Sequence, residues 1–315
     1  MIRFDHFMAQ ANNAYYAAHD PFQDFVTAPE LTQVFGELLG AWAKIVWQMM
    51  GSPPGLIIAE AGPGRGTLMT DLLRVFPAPQ IHLIETSLRL RAEQAKRLPH
   101  AIWHETLDTI PHQPMILIAN EFLDALPVRQ FIRRETGWME RHVENAAYVE
   151  IPSDFVSDDP IGSIREVNEP ALAFITALAR RRAIALFIDY GAATGAAAET
   201  VQAIRAGQYA NPLANPGAAD ITAHVDFLAL AQAGQAAGAA TQGPIPQNRF
   251  LTALGLFQRT DALAQKNPAR TENLKRSARR LTAPEAMGTL FKAFAICPKN
   301  FPTLPGFEKI EPQKC

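Results

Sequence analysis

The chain has 315 residues, 48% of them apolar and 19% charged, which excludes a disordered polymer and leaves room for one large α/β domain or two modest ones. A formal net charge of −2 gives no electrostatic footprint for nucleic acid or for an anionic membrane, so small molecules and proteins remain as partners. Its two cysteines, Cys297 and Cys315, are too few for a disulfide framework or a metal knuckle, and no run approaches the roughly 20 apolar residues of a membrane span. The first residues, MIRFDHFMAQ, lack an apolar signal core, and Asp5 is out of place in an Arg-rich transit peptide. These signs predict a cytoplasmic protein.

Residues 1–26 read as a short helix followed by a loop. TAPE opens the next helix, with Thr27 as its cap and Glu30 completing a capping box. Apolar residues from Leu31 to Met49 then recur at helical spacing until GSPPG (51–55). Short apolar runs follow: LIIAE (56–60), IHLIE (81–85), AIWHE (101–105), MILIAN (115–120) and AIALFIDYG (183–191) are predicted strands. Helical patterns over 66–76, 88–98 and 170–182 separate them, and 128–144 alternates like a hairpin about Glu135–Gly137. Strands alternating with helices predict a parallel sheet with helices on both faces. Residues 192–220 are an Ala, Gly, Asn and Pro-rich excursion, after which Asp220 is predicted to cap a helix over 221–233. Two further helical stretches, 247–265 and 268–280, and a late strand, 289–297, complete the pattern.

The segment EAGPGRGTLM follows the first of these strands. Glycines at such a turn let a ligand approach the backbone, and the next helix points its amides at that ligand. The loop lacks the Lys-Ser/Thr of a P-loop, and Gly62, Gly64 and Gly66 are spaced G-x-G-x-G, not G-x-G-x-x-G. Glu60 stands just before the loop, where a carboxylate repels a pyrophosphate and attracts an ammonium or sulfonium. The charge therefore favours S-adenosylmethionine over NAD. Glu85, ending the next strand, is placed to accept both hydroxyls of a ribose. NEFLDALPVRQF places Asn120, Glu121 and Asp124 beyond the fourth strand. Carboxylates there can bind a guanidinium bidentately and orient it for methyl transfer; the alternatives for Glu121 and Asp124 are a helix cap or an ion pair.

The segments EAGPGRGTLMTDLLR, HLIETSLRLRAEQ, NEFLDALPVRQF, LFIDYG, PGAADITAHVDF and MGTLFKAFAI resemble, in order, the MidA-like methyltransferases. AYYAAHDPF and DFVTAPELTQVFGELLG extend the resemblance to the N-terminus. It implies a class I, Rossmann-like methyltransferase core over 51–315 with insertions around 128–182 and 192–285, and a helical segment over 1–50 covering the cofactor site. It implies S-adenosylmethionine as donor, held by Glu60, Gly62, Pro63, Gly64, Gly66, Glu85 and Asn120. It also implies an arginine of a partner protein as acceptor, the family including a mitochondrial complex I assembly factor. Three places depart from the family pattern: a shortened loop at PFQDF (21–25), AETVQ (198–202), and Gly207 where a histidine is expected. They motivate an alternative, a catalytically weak scaffold that keeps the cofactor fold. Tyr15 and Tyr16, with Asp20, either cover the cofactor or touch substrate, or the two aromatics pack in the core. His224, on an apolar stretch, reads as a core histidine. Arg270, Lys275, Arg276, Arg279 and Arg280 form either a solvated basic face, the commoner case, or a partner-binding patch.

Overall fold

The computed structural model describes residues 1–19, 26–78, 80–195 and 198–308. It begins with β1 (Ile2–Arg3) and α1 (Phe4–Ala18), whose buried residues Phe4, Phe7, Met8, Ala11 and Tyr15 recur every three or four positions. The predicted helix from Thr27 is two helices, α2 (Ala28–Leu31) and α3 (Gln33–Met49). Thr27 makes no side-chain cap; Thr32 is extended and its hydroxyl accepts from the amide of Val34 at 3.3 Å, so the capping residue lies five positions later than expected. Glu30 is drawn away from a capping box by Thr67, whose hydroxyl donates to it at 2.5 Å.

Strands and helices then alternate: β2 (Ile57–Ala61), α4 (Thr67–Leu73), β3 (Gln80–Ile84), α5 (Leu88–Arg97), β4 (Ile102–His104) and β5 (Met115–Asn120). An antiparallel set follows, β6 (Arg129–Arg134), β7 (Gly137–Glu144), β8 (Ala147–Pro152) and β9 (Ile164–Val167). The chain returns through α6 (Glu169–Arg180) to β10 (Ile184–Ala192) and leaves again for β11 (Gln202–Arg205), β12 (Gln208–Ala210) and β13 (Asp220–Thr222). Last come β14 (Val225–Asp226), α7 (Phe227–Ala236), β15 (Ala239–Pro246), α8 (Gln247–Ala253), α9 (Leu256–Lys266), α10 (Thr271–Thr282) and β16 (Phe291–Pro298).

The main sheet runs β15-β16-β10-β5-β2-β3-β4, with β14 alongside β10. β10, β5, β2, β3 and β4 are parallel; β16 is antiparallel to β10 and to β15. Both faces are buried, because successive residues of each central strand feed opposite cores. Ile58, Ile116, Ile118, Leu186 and Ile188 pack on one side with α3, α4 and α8 to α10; Ile57, Ala59, Leu117 and Phe187 pack on the other with α6 and α7. Gly40 lets α3 cross tightly against α4, since a Cβ there would lie 2.5 Å from the carbonyl oxygen of Leu72.

The chain moves outward from β2 through β3 to β4 on one side and from β5 to β10 on the other. A ligand crevice is expected where the order reverses, beyond the C-terminal ends of β2 and β5. A second sheet (β1, β6, β7, β8, β9) and a third (β12-β11-β13) flank this end. α1 packs against both through Phe4, Met8, Ala11, Val128, Val143, Ala203 and Ile221, and so is fixed near the crevice.

Three sequence expectations change. Asp220 is not a cap but a buried strand residue; Asp226 caps α7, its Oδ1 accepting from the amide of Ala229 at 3.0 Å. The helix expected over 247–265 breaks at Gly255, which takes a φ of 89° between α8 and α9. β8, β9 and β15 were not predicted. β15 carries Gln242, Gly243 and Pro244 and pairs with its apolar neighbour β16 on either side of a register shift between Gln242 and Ile245, a strand set by its partner and not by its own propensity.

Candidate functional site

Glu60 is the penultimate residue of β2 and is 2% exposed. One oxygen of its carboxyl has no hydrogen-bond partner, and burial pushes the group up to about 8, against the pull of the Met69 amide. An acid desolvated to this degree and left half-satisfied holds its proton near neutral pH, and a cation brought to it favours the ionised form. The turn after it uses backbone conformations that favour glycine: Gly62, Gly64 and Gly66 have φ of 67°, 54° and 76°. A Cβ on Gly62 would meet Phe122 at 2.9 Å, and Gly66 opens α4.

Glu85 follows β3 and accepts from the amide of Ser87 at 2.8 Å and from Gln94 at 3.3 Å. Burial raises its pKa, opposed by these hydrogen bonds. Gln94 was not singled out in the sequence. It is fully buried, its amide also donates to the carbonyl of Gly64 at 2.8 Å, and its oxygen accepts from the indole of Trp103 at 2.8 Å. One side chain thus ties the glycine turn to Glu85. A polar residue on a helix that is otherwise Arg and Lys-rich carries no signal of this in the sequence.

At the end of β5, Asn120 donates to Glu121 at 3.0 Å and leaves its own carbonyl oxygen unpartnered. Glu121 has a φ of 51°, a strained conformation for a non-glycine residue. Its carboxylate also accepts from the amide of Ala28 at 3.1 Å, and burial pushes it up to about 7. The turn is held by Asp189 of β10, which accepts from the amides of Phe122 and Leu123 at 3.1 and 2.9 Å. Asp189 has no role in the sequence reading; its signal is the acid inside the apolar strand AIALFIDYG. Asp124 is 6% exposed and raised to about 6 by burial, with one carboxyl oxygen unpartnered.

A cavity of about 740 Å³ joins these groups. Glu60, Gly62, Pro63, Gly64, Glu85, Asn120 and Glu121 all line it. Gly66 and Asp124 lie behind its wall and are not brought to the surface. The opposite wall comes from α1, through Asn12, Asn13 and Tyr16, and from Thr27 to Glu30 around α2. Tyr16 lines the cavity and donates to Asp220 at 2.9 Å, whereas Tyr15 is fully buried in the core. The C-terminal carbonyls of α1 are tied to the turn after Glu85: Ser87 donates to Tyr16 at 3.0 Å and Arg89 to His19 at 2.6 Å.

His224 stands edge-on to Tyr190 with ring centroids 5.3 Å apart, its pKa lowered by burial, away from the cavity. Of the three departures, PFQDF lies outside the described residues, as does Asp20. Thr200, in AETVQ, donates from its hydroxyl to Glu166. Gly207, with Ala206, supplies the positive φ values of the β11–β12 turn, 71° and 51°, which a histidine would strain.

The cavity suits S-adenosylmethionine: an unpartnered buried carboxyl for a cation, a Cβ-free turn, and an acid beyond the second strand. Comparison with known proteins agrees. Residues 38–245 match the family model described as "Putative S-adenosyl-L-methionine-dependent methyltransferase". The protein arginine methyltransferase NDUFAF7, mitochondrial, of Xenopus tropicalis is 32% identical over 94% of this chain and 82% of its own length; its human counterpart is 32% identical over 87% and 74%. A Burkholderia thailandensis protein crystallised with S-adenosylhomocysteine superposes with a TM-score of 0.85 at 26% identity, covering 98% of this chain and 90% of the other. A native crystal structure of a COG1565 superfamily protein from Burkholderia thailandensis gives 0.84 at 26% identity, with 98% of this chain and 90% of the other covered. The class I methyltransferase fold and the cofactor expected from the sequence are therefore correct, and the scaffold alternative is not favoured. The cytoplasmic location does not stand: the relatives are mitochondrial by name, and charge and hydropathy at an N-terminus were too weak a guide to compartment. The chain belongs to the MidA-like family of S-adenosylmethionine-dependent methyltransferases.

Proposed function

We propose that the protein methylates arginine on a partner protein, the activity carried in the names of its relatives, and that a respiratory-complex subunit is the first acceptor to try. The observation that carries this reading is Glu121, a carboxylate set in the cavity wall next to Asn120 and held by two hydrogen bonds, with no ion pair to a cation among the described residues. S-adenosylmethionine supplies an electrophilic methyl on a sulfonium. Glu60 holds the methionine ammonium, the turn from Gly62 to Gly66 accommodates the amino-acid part, and Glu85 takes the ribose hydroxyls. Asn120 completes this end of the cavity.

Glu121 accepts the N–H groups of an entering guanidinium and localises its charge away from the attacking nitrogen. The new N–C bond forms as the S–C bond breaks, and the nitrogen then gives up one proton. Glu121, with a pKa near neutrality, is suited to receive that proton. Asp124 acts from behind the wall as a positioning residue, beside Tyr190 and the Asp189-held turn. Incubation with methyl-labelled donor and a lysate of its own cell tests the reading. Label on arginine that disappears with Glu121→Gln is expected; label confined to another residue type rejects it.

A further inference from the structure

We propose that the exposed basic face of α10 is a docking strip for an acidic segment of the protein whose arginine enters the cavity; this rests on the arginine-methyltransferase reading above. Lys275, Arg276, Arg279 and Arg280 are all exposed, while Leu274, Ser277, Ala278 and Leu281 face inward. Arg270 adds a fifth cation just before the helix. Among the described residues Lys275, Arg276 and Arg279 make no ion pair, even though Glu272 sits three and four positions from the first two. In a chain with a net charge of −2, this is a concentration of free positive charge.

Its place distinguishes it from an ordinary solvated face. Ser277 of α10 donates to the carbonyl of Leu31 at 2.9 Å, fastening the helix to α2, whose Pro29 and Glu30 line the cavity. Arg280 is close enough to Glu121 for its charge to favour the ionised carboxylate. The strip therefore lies on a helix fastened to a wall of the cavity, with Arg280 within electrostatic reach of Glu121. Cations four residues apart on a helix are about 6 Å apart along its axis, and alternate side chains of an extended peptide are about 7 Å apart. An extended segment with acids at alternate positions matches that repeat. At the acceptor end the cavity wall carries the opposite sign through Glu121, so an arginine flanked by acids is oriented by both.

The test uses the full-length chain with bound S-adenosylhomocysteine. The probe is a fluorescent peptide with one central Arg flanked by alternating Glu and Gly, compared with the same peptide carrying Gln for Glu. Binding is read by anisotropy at about 50 and about 300 mM salt. The Glu peptide is expected to bind at least tenfold tighter at low salt. That preference should vanish in the triple variant Lys275→Ala, Arg276→Ala, Arg279→Ala and persist in Lys275→Arg, Arg276→Lys, Arg279→Lys. Unchanged S-adenosylhomocysteine affinity certifies that both variants are folded. Equal binding of the two peptides by the native protein, retention of the preference in the alanine variant, or stronger binding to phosphatidylserine vesicles or single-stranded RNA than to the Glu peptide would overturn the proposal. Glu121→Gln loses transfer and weakens both peptides alike but leaves the preference for the Glu peptide intact, so docking and arginine methylation fail separately.

Discussion

The end of the cavity assigned to the donor and the end assigned to the acceptor are constructed differently. Glu60, the glycine turn, Glu85 and Gln94 come from consecutive strand–turn–helix units within 35 residues. The other end joins α1 to β5, β10 and β13, and its Tyr16–Asp220 hydrogen bond spans 204 residues of sequence. The first is rigid by local geometry; the second exists only once three sheets have assembled. Cofactor chemistry shared by many acceptors needs the former, and recognition of one acceptor can be set by the latter.

If the two ends are separable, variants should divide cleanly. The largest effect is expected for Gly64→Val, which places a branched side chain at a φ of 54° in the turn proposed to hold the donor. Calorimetry should detect no donor binding, a loss of more than about 100-fold, or roughly 3 kcal/mol. Glu121→Gln should lower kcat by about 10² to 10³ while leaving donor affinity within about twofold. A parallel loss of donor binding would erase the distinction between the ends. In the native enzyme kcat/KM should rise with pH through about 7, as Glu121 ionises.

Glu60→Gln should weaken the donor by about 10- to 50-fold, the loss of one charge-assisted contact. It should also change stability with a definite sign. The carboxyl titrates at about 8 in the folded protein and near 4.5 unfolded, so the folded state binds more protons between those values and loses stability as pH rises. The glutamine variant, free of that loss, should be more stable than the native protein at pH about 8.5, on the order of 2 kcal/mol, as read from denaturant midpoints. For the same reason donor binding at pH about 7 should release a proton, visible as a buffer-dependent heat. The smallest change is expected for Tyr16→Phe, about 1 kcal/mol of stability with a few-fold rise in KM for the protein acceptor and an unaltered donor affinity.

The same contrast explains what could be read in advance. The central strands were legible because both faces are buried, giving uninterrupted runs such as MILIAN, whose limits coincide with β5. Glu60 and Glu85 were legible because a strand end and a turn fix their position within a few residues. Gln94, Asp189 and Asp124 differ. Gln94 acts across a helix–turn contact, Asp189 reaches the amides of a turn 67 residues earlier, and Asp124 sits behind the wall instead of in it. Such relations depend on tertiary placement, which neither periodicity nor charge pattern encodes. Thr27 and Asp220 show the converse: each has the side chain of a cap, but Thr32 and Asp226 hold that position because adjacent packing decides where a helix starts.

The bond from Trp103 to Gln94 has an optical consequence. The indole N–H is linked through a single amide to the carbonyl of Gly64 and the carboxyl of Glu85. Any ligand that pulls on either of those groups changes the polarity felt by the ring. The molecule therefore carries an intrinsic fluorophore wired to Gly64 and Glu85, the groups proposed to hold the donor, and occupancy there can be followed by emission without attaching a dye.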